Sequence, residues 1–303
     1  MIAFSTCWNS SRHSDGEAMI REIVDLGFDT IELSHGMNIS LFPGIQKALE
    51  EKQFTVAGLH NFCPSPIEVM IDAPDCYEFT SHRKHERERA LALTIKTIDF
   101  AEQFGGSYVV LHLGSVAMRN TTRQLTQMVH DGKLNDREYV ALKHKFIKKR
   151  EKAGPHYVAR AKEALEPIIE HAEKKKVRLG IESRSRFEDV PTERELAQLM
   201  EDIKSPYVGY WHDFGHVQLK ANLDLLDHRE WLGRMQSRLV GCHLHDVEWP
   251  ARDHRVPLAG SINYDELMPL IPVDKPLVWE LSPSRRSADI KRALPLWIER
   301  YGT

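Results

Sequence analysis

Residues 209–219 read GYWHDFGHVQL, an apolar run of the kind that forms a buried strand, followed at once by His212, Asp213 and His216. Successive residues of a strand face opposite sides, so His212 and Asp213 point apart. A polar stop at the end of one buried strand is unremarkable on its own. It becomes informative when other strands in the chain stop in the same way.

They do: of eight strands in the chain, six consecutive ones end in this way. Short apolar runs alternate with longer segments of helical periodicity, the pattern of βα units on a parallel sheet. The strand candidates are IAFSTC (2–7), FDTIELS (28–34), FTVAGLH (54–60), SYVVLHL (107–113), VRLGIES (177–183), YVGYWHD (207–213), LVGCHLHD (239–246) and PLVWELS (276–282). Between them lie amphipathic stretches such as GEAMIREIVDLG (16–27), where Met19, Ile20, Ile23, Val24 and Leu26 follow helical spacing and Gly27 stands at the C-terminal cap position. Eight units predict an α/β fold closed into a (β/α)8 TIM barrel, with a doubly wound open sheet as the structural alternative. The span 114–176 is too long for one loop and one helix. It predicts a helical excursion over the barrel mouth at 114–155 and a further helix from about Pro155 to Lys176. Its basic run KHKFIKKREK (143–152) reads as a solvated helix face. No Gly/Ser linker divides the chain, so residues 1–303 read as a single domain.

Composition narrows the function classes. A net charge of −3 with 28% charged residues argues against a disordered tail or a protein that coats nucleic acid. The four cysteines lie far apart without a C-x-x-C pair, which argues against a zinc ribbon and fits a reducing cytoplasm. No stretch approaches the ~20 apolar residues of a membrane span, and the N-terminus lacks signal-peptide character. A cytoplasmic, membrane-free protein is expected. The sixteen histidines matter for where they fall.

Active sites of parallel barrels form at the carboxyl ends of the strands. Strand three ends at His60, strand four at His112, strand five at Glu182, strand six at Asp213 with His216 beyond, and strand eight at Glu280. Strand seven offers His243 and His245 on one face, and the loop after it carries Asp253 and His254. Charges crowded into one mouth repel and desolvate one another unless a divalent cation neutralises them. Mixed imidazole and carboxylate ligands suit Zn²⁺, Mn²⁺, Co²⁺ or Fe²⁺. Asp213 and His216 read as ligands, His212 as structural, and the pattern alone leaves His243 and His245 undecided.

The motifs VVLHLGS (109–115), GIES (180–183), HDFGH (212–216), HLHD (243–246), DHRVPLAGSI (253–262) and WELSP (279–283) together resemble the xylose-isomerase-like TIM barrels. That family includes sugar epimerases, inosose-processing enzymes and endonuclease-IV-type DNA repair enzymes. The resemblance covers the chain apart from 114–155. It implies a core metal (Mn²⁺, Zn²⁺ or Co²⁺) held by Glu182, Asp213, His243 and Glu280, with the HLHD register favouring His243 over His245. Endonuclease-IV-type members carry further metals. The matching positions are His60 and His112 with Glu182, and His216 with Asp253 and His254, so the residue types present suffice for two or three sites. One departure stands out: Asp253 and His254 are adjacent, where the family pattern spaces them by one residue.

The leading expectation is a metal-dependent isomerase or epimerase of a sugar, sugar phosphate or polyol, working by proton transfer through an enediolate, with Glu182 and Glu280 as acid and base. The alternative is a multi-zinc phosphoester hydrolase resembling apurinic-site endonucleases, disfavoured by the acidic charge and the lack of a basic, aromatic-interleaved surface. A non-catalytic sugar- or metal-binding barrel is a third class. Weaker candidates for touching a small-molecule carbohydrate are Glu32, Trp8, Phe62, Arg184, His245 and Arg285. The resemblance also implies a homo-oligomer, as is common in the family.

Overall fold

The computed structural model describes residues 1–69 and 74–302. Eight strands form the central sheet: β1 (Ile2–Ser5), β2 (Thr30–Leu33), β3 (Thr55–His60), β4 (Tyr108–Leu111), β5 (Arg178–Glu182), β6 (Val208–Asp213), β7 (Leu239–Leu244) and β8 (Leu277–Trp279). Neighbours in this series pair in parallel, and β1 pairs with both β2 and β8, in register Ile2 to Leu277. The ring is therefore closed, which removes the open-sheet alternative. Two short antiparallel ribbons, Gly114–Ser115 with Asp189–Val190 and Asp246–Glu248 with Arg252–Arg255, sit on the loops beyond the strand ends.

Helices surround the ring: α1 (Gly16–Val24), α2 (Phe42–Glu50), α3 (Lys84–Phe104), α4 (Thr121–His130), α5 (Arg137–Lys175), α6 (Glu193–Asp202), α7 (Phe214–Asn222), α8 (His228–Met235), α9 (Tyr264–Leu267) and α10 (Ser287–Tyr301). After α1 the chain turns through Gly27 at φ +107°, a conformation that favours glycine. Between β4 and β5 lie α4 and α5. The helix expected to start near Pro155 is the second half of α5, which runs through Pro155 and Pro167. A proline normally ends a helix by removing one N–H. Here buried side chains on both sides of Pro155, Phe146 and Arg150 before it and Ala161 and Leu165 after it, hold the two halves in one line. Arg150 also donates twice to Glu195 of α6, each at 2.8 Å.

The ring interior is filled by unequal side chains in layers, as barrels require. Trp211 of β6 lies flat between Gly180 of β5 and Gly241 of β7: a Cβ on Gly241 would meet its ring at 2.4 Å and one on Gly180 at 3.0 Å. Tyr108 of β4 packs against Trp211 with the rings tilted by 36° and their centroids 4.5 Å apart. This aromatic floor lies one inward position below Glu182, Asp213 and His243, so those three polar groups face the mouth of the barrel from a rigid base.

Candidate active site

β6 delivers Asp213 to the rim, where its carboxylate accepts the His216 N–H at 2.6 Å and caps α7. His245 Nε2 lies 3.0 Å from the same carboxylate. Gly215 in HDFGH makes that approach possible, because a Cβ there would sit 2.0 Å from His245 Cε1. β5 delivers Glu182, whose Oε2 lies 2.6 Å from His112 Nε2 and 3.2 Å from His60 Nε2, and whose Oε1 lies 3.2 Å from His243 Nδ1. The same His243 nitrogen is 3.4 Å from Glu280 Oε2 and 3.8 Å from Asp213 Oδ2. Its other nitrogen, Nε2, lies 3.2 Å from Glu32 Oε1, and Tyr108 donates to Glu32 at 3.1 Å.

Glu182, Asp213, His243 and Glu280 thus place one potential ligand atom each within 4.8 Å of one another, and all four residues are buried. Burying carboxylates this close together is costly unless positive charge joins them. The titration of the cluster carries that signature. Burial by itself would raise Glu182, yet His112 and His243 hold it well below the usual carboxylate range. Glu280 is likewise opposed by burial and drawn down by His243 and His254. Burial would keep His243 neutral, but Glu280, Glu32 and Glu182 push it well above the ordinary histidine value. Burial and Arg184 also oppose charging of His112, which Asp75 and Glu182 nevertheless push up to about 9. The cluster draws in positive charge at its centre, and its N and O donors suit a divalent cation of the transition series or zinc. His243 fits such an ion through Nδ1, with Nε2–H donating to Glu32 in the carboxylate–histidine–metal arrangement that orients a ligand ring.

The other expected site residues divide into three sets. His60, His112, Arg184, His216 and His254 line the same cavity of about 310 Å³ as Glu182 and Glu280. His245 is sealed beside it: Nε2 meets Asp213 and Nδ1 accepts the His254 N–H at 2.8 Å. Although His216, His245 and His254 also bring ligand atoms within 4.8 Å of one another, both His245 nitrogens are already occupied, and Asp253 belongs to no such group among the described residues. Four of the residues expected to touch substrate do not line this cavity. Trp8 is 1% exposed, and its indole donates to the Arg285 carbonyl at 2.9 Å instead of walling the cavity. Phe62 is buried edge-on against Tyr77. Glu32 lies inside the ring beneath His243. Arg285 lines a different cavity.

Two residues of the site escaped the sequence reading. Asp75 meets His112 Nδ1 at 2.9 Å and accepts from Arg184 at 2.6 Å, which buttresses the histidine against Glu182. It sits in an irregular segment with no period to betray it. His35 packs edge-on to His60 at 4.7 Å and forms a potential ligand group with His60 and Glu280. It had a readable signal, since it follows strand two directly in ELSHG.

A closed parallel barrel whose strand ends converge on buried carboxylates and imidazoles defines a (β/α)8 protein with a metal-competent mouth. The chain matches the xylose isomerase-like TIM barrel family over residues 20–300 and belongs to it. A search of curated protein sequences returned no match. Similar solved structures include a D-tagatose 3-epimerase-like protein (18% identity, TM-score 0.70, covering 98% of this chain and 97% of that one). Others are an L-ribulose 3-epimerase (17%, 0.66, 96% and 86%) and the 3-keto-D-glucoside 4-epimerase of E. coli (14%, 0.68, 98% and 98%). At these identities the likeness is one of fold. No described helix is long and apolar enough to cross a membrane.

Proposed function

We propose that the protein is a divalent-metal-dependent isomerase or epimerase of a sugar, sugar phosphate or polyol. The observation that carries this reading is the convergence of Glu182, Asp213, His243 and Glu280, from four consecutive barrel strands, within 4.8 Å. The likeness of the chain to solved structures of sugar epimerases supports it.

In this reading Glu182, Asp213, His243 and Glu280 hold the metal. When bound, the cation supplies Lewis-acid polarisation of the substrate's carbonyl and adjacent hydroxyl oxygens. Glu182 and Glu280 face the same space from β5 and from the end of β8. One of them takes the proton from the carbon beside the carbonyl and the other returns a proton, to the same carbon for epimerisation or to its neighbour for isomerisation. His112, held by Asp75, and His60 fix the outer oxygen of Glu182. The cavity wall formed by Asp75, Arg184 and His216 limits water at the reacting carbon.

The test is elemental analysis of untagged protein purified without chelator, followed by a ketose and polyol panel. Roughly one Mn²⁺, Co²⁺ or Zn²⁺ per chain together with epimer or isomer formation is expected. Metal-free protein that turns over the panel at full rate refutes the reading. Two or three zinc ions per chain would instead favour the multi-metal phosphoester hydrolase, the reading supported by the placing of His60 and His112 on Glu182.

A further inference from the structure

Beside the metal-competent cavity lies a second one, of about 550 Å³, on the same face of the barrel. The two share a wall. His254 and Leu281–Pro283 line the first, whereas the following residues, Arg255 and Ser284–Arg286, line the second. The charges around this second cavity do not balance. Arg255, Arg285, Arg286 and Arg292 line it, and Arg252 stands behind Arg255. Among the described residues, only two carboxylates face them. Asp289 is shared by Arg286 and Arg292, and Glu248 is shared by Arg252 and Arg255.

Arg285 is the guanidinium left over. Among the described residues it pairs with no carboxylate: Nη2 donates only to Ser284 Oγ at 2.7 Å, and the buried Nε has no partner. Its burial, followed by the charges of Arg255 and Arg252, pulls its pKa below the usual arginine value despite Glu248 and Asp289. The cavity also opens on the start of α10, a 15-residue helix with no side-chain cap. Planar guanidinium forks in excess of carboxylates, at the end of the last barrel strand, match a phosphoryl group in geometry and charge.

We infer that the Arg255–Arg285 cavity holds the phosphoryl group of a phosphorylated sugar whose carbonyl end reaches the Glu182–Glu280 cluster across the shared wall. The sugar part rests on the isomerase or epimerase reading. The phosphoryl part stands on the arginines, and the experiment separates the two by measuring binding apart from turnover.

Metal-loaded protein is titrated calorimetrically with inorganic phosphate, with fructose and with fructose 6-phosphate, alongside the Arg285→Gln and Arg255→Gln variants. Fructose 6-phosphate should bind about tenfold or more tightly than either fructose or inorganic phosphate, an advantage that each variant removes while fructose binding stays unchanged. Thermal unfolding checks that each variant is folded, and either variant alone suffices for the comparison. Three outcomes overturn the inference: equal binding of fructose and its phosphate; an advantage that survives both substitutions; or inorganic phosphate binding as tightly as the sugar phosphate, which would mark a free-anion site. Salt-steep binding of an abasic DNA duplex through the same arginines would also overturn it. Failure of turnover with phosphate binding intact would count against the isomerase or epimerase reading and not against the arginine site.

Discussion

His212 and Asp213 are consecutive residues of β6, both 0% exposed, and they belong to regions organised in opposite ways. Outside the ring, His212 joins a closed hydrogen-bond chain. Trp231 Nε1 donates to Tyr210 Oη at 2.8 Å, Tyr210 Oη meets His212 Nδ1 at 2.7 Å, His212 Nε2 meets His228 Nε2 at 3.0 Å, and His228 Nδ1 meets Gln218 Oε1 at 2.9 Å. One direction of donation, from each ring to the next, satisfies every group with both histidines neutral. Burial agrees with this, holding His212 well below its ordinary value and His228 down to about 3. Inside the ring, Asp213 joins Glu182, Glu280 and Glu32 around His243, where acceptors outnumber donors and no neutral arrangement satisfies them. A saturated polar cluster is structure, while an acceptor-rich one is a place for a cation.

The sharpest way to break this comparison is to neutralise the inner carboxylates. Glu182→Gln and Glu280→Gln should each lower turnover by about 10²- to 10⁴-fold, measured on samples brought to the same metal content. Removing the metal comes next. The chelated protein should lose about 2.7 kcal/mol relative to protein in metal at a hundredfold excess over Kd, read from urea unfolding. Gly215→Ala drives a methyl group into His245, so metal affinity should fall by about 10- to 100-fold in a competition titration, because Asp213 loses its orienting partner.

The outer cluster should respond in stability alone. His212→Leu leaves Tyr210 and His228 without their partner and should destabilise by about 1–3 kcal/mol with kcat and metal content unchanged. The pH dependence of stability supplies a further test of the outer cluster. His228 has a folded pKa of about 3 against an ordinary 6.5, so its contribution is fully present above pH 6.5 and is lost as pH falls toward 3. In chelated protein that should cost about 1.4 kcal/mol per pH unit over the window, and His228→Gln should remove this part of the slope.

The sequence made the barrel readable because each strand is a short apolar run whose period changes at the following helix, and because polar residues stand at six consecutive strand ends. The two-residue period also separated His212 from Asp213, whereas it left His243 and His245 on one face and only the family resemblance favoured His243. Side-chain reach was not readable. Glu32 occupies a strand end like the others, yet the ring closes over it and its partner is His243. Trp8 follows β1 but turns its indole toward the Arg285 carbonyl. Asp75 lies in a loop whose position depends on contacts made across the mouth by residues distant in sequence, His112 and Arg184. The α5 helix passing through Pro155 is a case in which tertiary packing overrides a local stop signal.

The most direct test of the central claim is solvent deuterium incorporation at the carbon beside the carbonyl, followed by NMR in D₂O with metal-loaded protein and a ketose substrate. The account predicts that deuterium enters in step with epimer or isomer formation and that both stop in Glu280→Gln with its metal retained. Product formed without deuterium, or exchange at the normal rate in metal-loaded Glu280→Gln, would contradict it.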